Sequence, residues 1–284
     1  MNMATTFVTQ CLCDAFLNAG IRPGGVLLLH SSLSSLGPVL GGADTVIDAL
    51  LLALGPSGTL CIPTLSYLFS TETLPVFNVL TTPSNVGAIS NAFLCRPGVI
   101  RSVHPTHSVA AIGHLAHAIT KDHLQDRTPV GENSPFRRIK DFGGQIAFLG
   151  CGTRCNTSIH GVEECLLPAP PPYLFNAADV MYSVTDANGR EEKVSHKRHN
   201  FMGTGQRYER LVNMVTKGAY LQGIVQKALL EIFDAKIMWE TALMVLLQDP
   251  LCLIESVVQG ECHFLKQGTE KNNFSYTVGP TKIE

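Results

Sequence analysis

No stretch of this sequence is long and apolar enough to cross a membrane: the most apolar run, Val46 to Leu54, is broken by Asp48, whereas a spanning helix needs about 20 apolar residues. Charge is scarce as well. Charged residues make up 15% of the 284, and 21 Lys and Arg against 23 Asp and Glu leave a formal net charge of −2. No field of one sign exists to gather nucleic acid or an anionic membrane surface. Met1 to Ala19 lacks a basic stretch followed by an apolar core, so neither secretion nor membrane insertion is expected, and the expected compartment is the cytoplasm. The nine cysteines are an odd number scattered from Cys11 to Cys262, which fits reduced, mostly buried thiols and not a disulfide framework.

What is present is apolar and periodic. Hydrophobic residues make up 45% of the chain, enough for a sizeable core. Val8, Leu12, Ala15, Phe16 and Ala19 share one helical face over Thr5 to Asn18, with Gly20 placed to stop it. Val26 to Leu29 reads as a strand buried on both faces, Asp44 to Leu54 as a helix closed by Gly55-Pro56, and Thr59 to Ile62 as a second strand. Strand, glycine-containing loop, helix and strand together imply a parallel crossover whose loops line a cleft at the strand ends. Val109 to Ile112 and Gln145 to Leu149 read as further strands, and Pro83 to Leu94, Tyr208 to Thr216 and Ala235 to Leu247 as helices. Val180 to Val184 and Glu191 to Ser195 flank Asp186-Ala187-Asn188-Gly189, a hairpin signal. The expected fold class is α/β: a mixed, largely parallel sheet with flanking helices and a C-terminal α+β portion. Neither repeats nor low-complexity tracts interrupt it, so residues 1–284 read as a single domain, with a possible subdomain boundary at the proline-rich segment 168–172.

Several segments carry chemistry. Cys151, Cys155, His160, Glu164 and Cys165 are close in sequence, but their spacing does not complete a tetrahedral zinc set. A metal-dependent hydrolase is carried as an alternative; no metal is expected. Strand 145–149 leads through a loop to Asn156-Thr157-Ser158-Ile159-His160-Gly161-Val162-Glu163-Glu164, the opening turns of a helix with Asn156 or Thr157 as its cap. His160 has one carboxylate three residues on and another four residues on, so either Glu163 or Glu164 can neighbour the imidazole. An imidazole oriented by a carboxylate is a suitable general base near neutral pH. His30-Ser31-Ser32 lies at a strand end but lacks the glycine-serine-glycine elbow of an α/β-hydrolase. Gly41-Gly42 before a helix offers backbone N–H groups to an oxygen ligand. Arg101 to Ser108 packs an arginine, two histidines and several hydroxyls into a plausible phosphate clamp. The basic run His196-Lys197-Arg198-His199 reads as a solvated strand end.

In order, His30-Ser31-Ser32-Leu33, Gly41 to Thr45, Gly58-Thr59-Leu60, Thr82 to Gly87, Arg101 to Pro105, Gly131 to Pro135 and Asn156 to Glu163 resemble the aminoglycoside 3-N-acetyltransferase family, with the C-terminal third matching more loosely. The resemblance implies transfer of an acetyl group from acetyl-CoA to a primary amine, such as the 3-amino group of a 2-deoxystreptamine aminoglycoside. Another small amine is the alternative. By the same resemblance, His160 is the base and Glu163 its orienting partner. His30, Ser31, Ser32, Val39, Leu40 and Gly41 would line the pantetheine and thioester, with Arg101, Ser102, His104 and Ser108 nearer the phosphates. Tyr67, Glu72, Asn78 and Glu164 would face the acceptor, with Asn78 standing where many relatives carry aspartate. The expected partners are acetyl-CoA and a small amine; the low charge leaves room for a homodimer.

Overall fold

The computed structural model describes residues 3–166, 168–200 and 204–256; Cys262 lies outside them. In chain order the structure runs α1 (Met3–Asn18), β1 (Val26–Ser31), α2 (Gly42–Leu54), β2 (Thr59–Pro63), β3 (Val76–Asn78), α3 (Ala88–Leu94), β4 (Ile100–Arg101) and β5 (Val109–Gly113). It continues with α4 (Ala116–Thr120), α5 (Pro135–Arg138), β6 (Gln145–Leu149), α6 (Ser158–Glu164), β7 (Val180–Thr185), β8 (Glu191–His196) and β9 (Thr204–Gln206). It ends with β10 (Tyr220–Val225), β11 (Ala228–Asp234), α7 (Ala235–Gln248) and β12 (Ile254–Ser256). Among the described residues no helix is long and apolar enough to cross a membrane.

The main sheet has seven strands in the order β10-β11-β6-β1-β2-β5-β4. Its centre is parallel, β1 pairing with β2 and with β6, and antiparallel partners flank that centre. Following the pairings outward, β10, β6, β1, β2 and β4 run one way and only β11 and β5 run against them, which is the mixed, largely parallel arrangement expected. The pleat of β1 shows why its residues are all apolar. Leu27 and Leu29 join Leu12, Phe16, Val46 and Leu50 on the side of α1 and α2. Val26 and Leu28 join Phe148, Ile159, Met238 and Trp239 on the side of α6 and α7. Alternation across a strand therefore feeds two cores in an α/β/α sandwich.

The edge departs most from the sequence reading. The hairpin β10–β11 extends the sheet beside β6, yet its turn is Gln226-Lys227, where Gln226 takes a positive φ of 52°. A two-residue turn normally advertises itself by Asn-Gly or Gly, and here that signal is missing. The helix expected from Pro83 begins only at Ala88. The Asn91 side chain holds the Ser84 backbone at both N and O, and Gly87 at φ 121° makes the turn. Tyr208–Asn213 is a 3-10 helix. The long segment after Ser66 contains β3, which joins β7 and β8 in a separate three-stranded sheet around Phe77, Val79, Tyr182 and Val184.

Helix α6 is seated through Gly161. A methyl group there would lie 2.6 Å from Val130 Cγ1 and 2.7 Å from Trp239 Cη2, so only glycine lets the helix approach α7 this closely. Gly161→Ala is expected to destabilise the protein by about 1–3 kcal/mol through overpacking, read from denaturant midpoints. An unchanged midpoint would show that α6 is not held this tightly.

Candidate active site

The chain leaves β6 through Gly150 and Gly152, both at positive φ, and enters α6 at a buried cap: Asn156 Oδ1 accepts from Ser158 N at 3.2 Å. Thr157 makes no side-chain cap bond. This sets His160 one turn into the helix. Its Nδ1 lies 3.0 Å from Glu163 Oε2, with His160 6% and Glu163 0% exposed. A buried carboxylate is acceptable only when its lone pairs are occupied, and two phenols do this: Tyr208 OH donates to Oε2 at 3.0 Å and Tyr173 OH to Oε1 at 3.0 Å. Tyr208 OH also sits 2.9 Å from His160 Nδ1. An acceptor carboxylate at Nδ1 assigns the ring proton to that nitrogen and makes Nε2 the basic one. Neither tyrosine was apparent from sequence, because no local motif links position 173 or 208 to His160.

Glu164 serves a different imidazole. Its Oε1 lies 3.1 Å from His199 Nε2 and accepts from Val130 N at 3.0 Å. Burial, joined by Asp126 and Glu163 nearby, pushes the Glu164 carboxyl up to about 8. Burial also holds His199 well below its ordinary value, with His160 and His107 adding to the effect. His199 and His196 are therefore not a solvated strand end as read from sequence. Both turn inward, while Lys197 pairs with Asp179 and Arg198 donates to the carbonyls of Ser70 and Tyr67 and to Tyr182 OH.

These rings continue inward. His160 contacts His199 with centroids 4.5 Å apart, His199 contacts His107 at 4.9 Å, and His104 lies 6.0 Å from His107, 4.7 Å from His123 and 4.8 Å from His196. Several are fixed by polar neighbours: His104 Nδ1 accepts from Thr106 N and His107 N, and His123 Nδ1 meets Ser102 Oγ at 2.9 Å. The sequence showed histidines in four separate segments and gave no sign that they share one interior.

That interior changes the reading of the Arg101 segment. Arg101 is buried and donates through Nε to Ser108 Oγ, through one terminal nitrogen to Val79 O and Thr82 O, and through the other to Thr64 O. Its guanidinium also lies over the Phe77 ring. Ser102, His104 and Ser108 are likewise buried and hydrogen-bonded within the protein. These residues clamp the β3 and β5 regions together, and the structure does not support them as a phosphate site, because the arginine's donors already face protein oxygens.

The remaining expected residues divide by exposure. His30 stacks on Phe148 at 5.0 Å, and burial pushes it down to about 3. Ser31 closes β1 and is paired to Leu149. Ser32 N donates to Leu149 O, and its hydroxyl accepts from Ser35, which also donates to Gly150 O. Val39, Leu40 and Gly41 form the turn into α2, with Gly42 N on Val39 O, Thr45 Oγ1 on Leu40 O and Gly41 at φ 82°. Tyr67 lies beside His107 with ring centroids 6.2 Å apart. Glu72 is exposed and accepts from Asn176 at 2.7 Å. Asn78 is used locally, its Oδ1 accepting from Leu80 N and Thr81 N. The grouped thiols do not converge with His160 and Glu164 as a metal cage: among the described residues, no set of three or more His, Cys, Asp or Glu is placed to hold a metal ion.

The α/β sandwich seats a carboxylate-oriented imidazole just beyond a central strand, an arrangement whose chemistry suits proton transfer. Residues 28–246 match the model of the aminoglycoside 3-N-acetyltransferase family, and the chain belongs to that family. It is 41% identical over 166 residues to aminoglycoside N(3)-acetyltransferase IV of Salmonella sp, a match covering 57% of this chain and 59% of the relative. It is 29% identical over 258 residues to aminoglycoside N(3)-acetyltransferase III of Salmonella sp, covering 80% of this chain and 87% of that one. Among solved structures, aminoglycoside acetyltransferase AAC(3)-IVa as a histidine-to-alanine mutant in complex with a gentamicin superposes with TM-score 0.72 at 32% identity, covering 85% of this chain and 89% of that chain.

Proposed function

We propose that the protein transfers the acetyl group of acetyl-CoA to a primary amine, the acceptor being the 3-amino group of a 2-deoxystreptamine aminoglycoside. The observation that carries this reading is the buried His160–Glu163 pair, with its Nδ1 to Oε2 distance of 3.0 Å, in a chain of this family. An amine is mostly protonated near neutral pH and attacks a thioester only when its nitrogen lone pair is available. His160 Nε2 accepts the proton that the amine loses as it bonds to the acetyl carbon. Glu163 stabilises the imidazolium so formed, and Tyr173 and Tyr208 hold that carboxylate in place. The thioester supplies the activated acyl group. The turn Ser32 to Gly41 lines the pantetheine, with its own hydroxyls and backbone already ordered. The gentamicin bound to a relative supports the acceptor class.

The test is release of free thiol from acetyl-CoA with a panel of aminoglycosides and simple amines. Thiol release with at least one 2-deoxystreptamine aminoglycoside is expected. Release with simple amines alone would move the acceptor to the alternative class, and no release with any amine would overturn the reading.

A further inference from the structure

The loop that carries the chain from β6 to α6 holds two cysteines four positions apart, and neither takes part in the base chemistry assigned to His160. Cys151 lies between Gly150 and Gly152, both at positive φ, and Cys155 closes the 3-10 turn Thr153–Cys155. That turn folds Cys155 back onto Cys151. As a thiol, Cys155 donates to the Cys151 carbonyl at 3.4 Å, and the two sulfurs are hydrogen-bonded to each other. Both side chains are half-buried. A methyl group at Gly152 would meet nothing within 4 Å, so the loop is open to small solutes between them.

The two thiols are not equivalent. The Cys151 S–H donates to the Cys155 sulfur and Arg154 lies beside it, which together hold Cys155 below the ordinary thiol value against the effect of burial. The same hydrogen bond, burial and the nearby Glu231 raise Cys151, which keeps its proton. A thiolate-prone cysteine beside a protonated second one is the arrangement of an oxidant sensor with a resolving partner.

Building on the acetyltransferase reading above, we propose that Cys151 and Cys155 are an oxidant-sensitive switch: a peroxide joins them as a disulfide that misplaces His160 and slows acetyl transfer until a dithiol reductant reopens it. Cys155 sulfur attacks one peroxide oxygen, the O–O bond breaks, and Cys155 becomes a sulfenic acid as the first water leaves. Cys151 sulfur then attacks Cys155 sulfur; the S–S bond forms, the S–O bond breaks, and the departing hydroxide leaves with the Cys151 proton as the second water. The two thiols lose two electrons and two protons, and the peroxide gains both.

The loop transmits that closure to the base. Cys155 precedes Asn156, whose Oδ1 accepts from Ser158 N at the start of α6 and whose amide donates to Met238 Sδ. The turn Thr153–Cys155 also packs against the 3-10 helix Tyr208–Asn213, source of the phenol that meets both His160 and Glu163. An S–S bond of about 2.05 Å draws Cys155 toward Cys151 and pulls on both attachments, so the imidazole leaves its working position.

The test exposes the reduced enzyme to hydrogen peroxide, for wild type, Cys151→Ser and Cys155→Ser. It reads kcat, non-reducing peptide masses, thermal melts and recovery with dithiothreitol. Wild type is expected to form the Cys151–Cys155 disulfide and to lose ~10²-fold in kcat, the scale of a small misplacement of a catalytic group; dithiothreitol reverses both. Reduced, the two variants keep the wild-type kcat. Cys155→Ser also keeps it after peroxide, which separates the effect from oxidation of the exposed Cys11 and Cys95. Cys151→Ser forms no disulfide, and its Cys155 is labelled by dimedone, which traps a sulfenic acid. Folded wild type that forms no bond between these two sulfurs, a bond that leaves kcat unchanged, or a Cys155→Ser enzyme as sensitive as wild type overturns the proposal. Reduced wild type that transfers no acetyl group overturns the acetyltransferase reading and the switch with it, whereas an active enzyme that fails the peroxide test overturns the switch alone.

Discussion

Replacing His160 by alanine is expected to lower kcat for acetyl transfer by ~10²–10⁴-fold while acetyl-CoA still binds, the range that a positioned general base contributes. In the proposed mechanism the loss falls on kcat because the imidazole acts as the amine attacks, whereas the turn proposed to line the pantetheine, Ser32 to Gly41, is built from other segments. The variant is also expected to fold. Glu163 stays satisfied without the imidazole, since Tyr208 and Tyr173 each donate to it at 3.0 Å, so no bare charge is left buried. A double reading therefore tests the assignment: turnover collapses, and the thermal melt moves only by the cost of a lost buried side chain. Turnover that survives in His160→Ala would assign the base elsewhere.

The second large effect is on stability in acid. Unfolded imidazoles titrate near 6.5. In the folded protein burial pushes His30 and His123 down to about 3 and His196 to about 4, and holds His104, His107 and His199 well below the ordinary value. Below about pH 6.5 the unfolded chain thus binds protons that the folded chain refuses, and stability falls as pH falls. Each such histidine costs up to about 1.4 kcal/mol per pH unit in that range. Glu164 works the other way. Its folded value of about 8 lies above an unfolded carboxyl near 4.3, so its contribution is favourable at low pH and is lost as pH rises. One such carboxyl, even joined by the raised Asp126, offsets only part of what the shared histidine interior loses. Against a typical net stability of about 5–15 kcal/mol, the expected result is a steep, multi-proton unfolding transition between about pH 6 and 4.5, followed by circular dichroism. A protein whose melting temperature is flat from about pH 7 to 4.5 would contradict the buried neutral cluster.

How much of this was legible depends on the range of the interactions involved. The parallel centre could be read because Val26 to Leu29 and Ile146 to Leu149 are short continuous apolar runs, as expected of strands buried on both faces. Helical spacing put both Glu163 and Glu164 within reach of His160, and the family resemblance chose Glu163 between them. The hairpin beside β6 could not be read, since its turn uses Gln226 at positive φ in place of a residue that announces it. Arg101 looked like a ligand clamp because sequence shows its donors but not their targets; the oxygens that occupy them come from Val79, Thr82, Thr64 and Ser108. His199 looked exposed because Lys197 and Arg198 precede it, yet the β8 strand end delivers it against His160. The pairings that complete the site join residues far apart in the chain, as Tyr208 joins His160, and no local pattern encodes them.

The central claim is direct acetyl transfer with His160 as base, and it is tested most directly by mass spectrometry of protein and products during turnover of acetyl-CoA with an accepted aminoglycoside. The predicted result is a singly acetylated amine with wild type, no acetyl group on the protein at any time, and product formed ~10²–10⁴-fold more slowly with His160→Ala. An acetyl group carried on the protein as the amine is consumed, or product formed at the wild-type rate by His160→Ala, would contradict it.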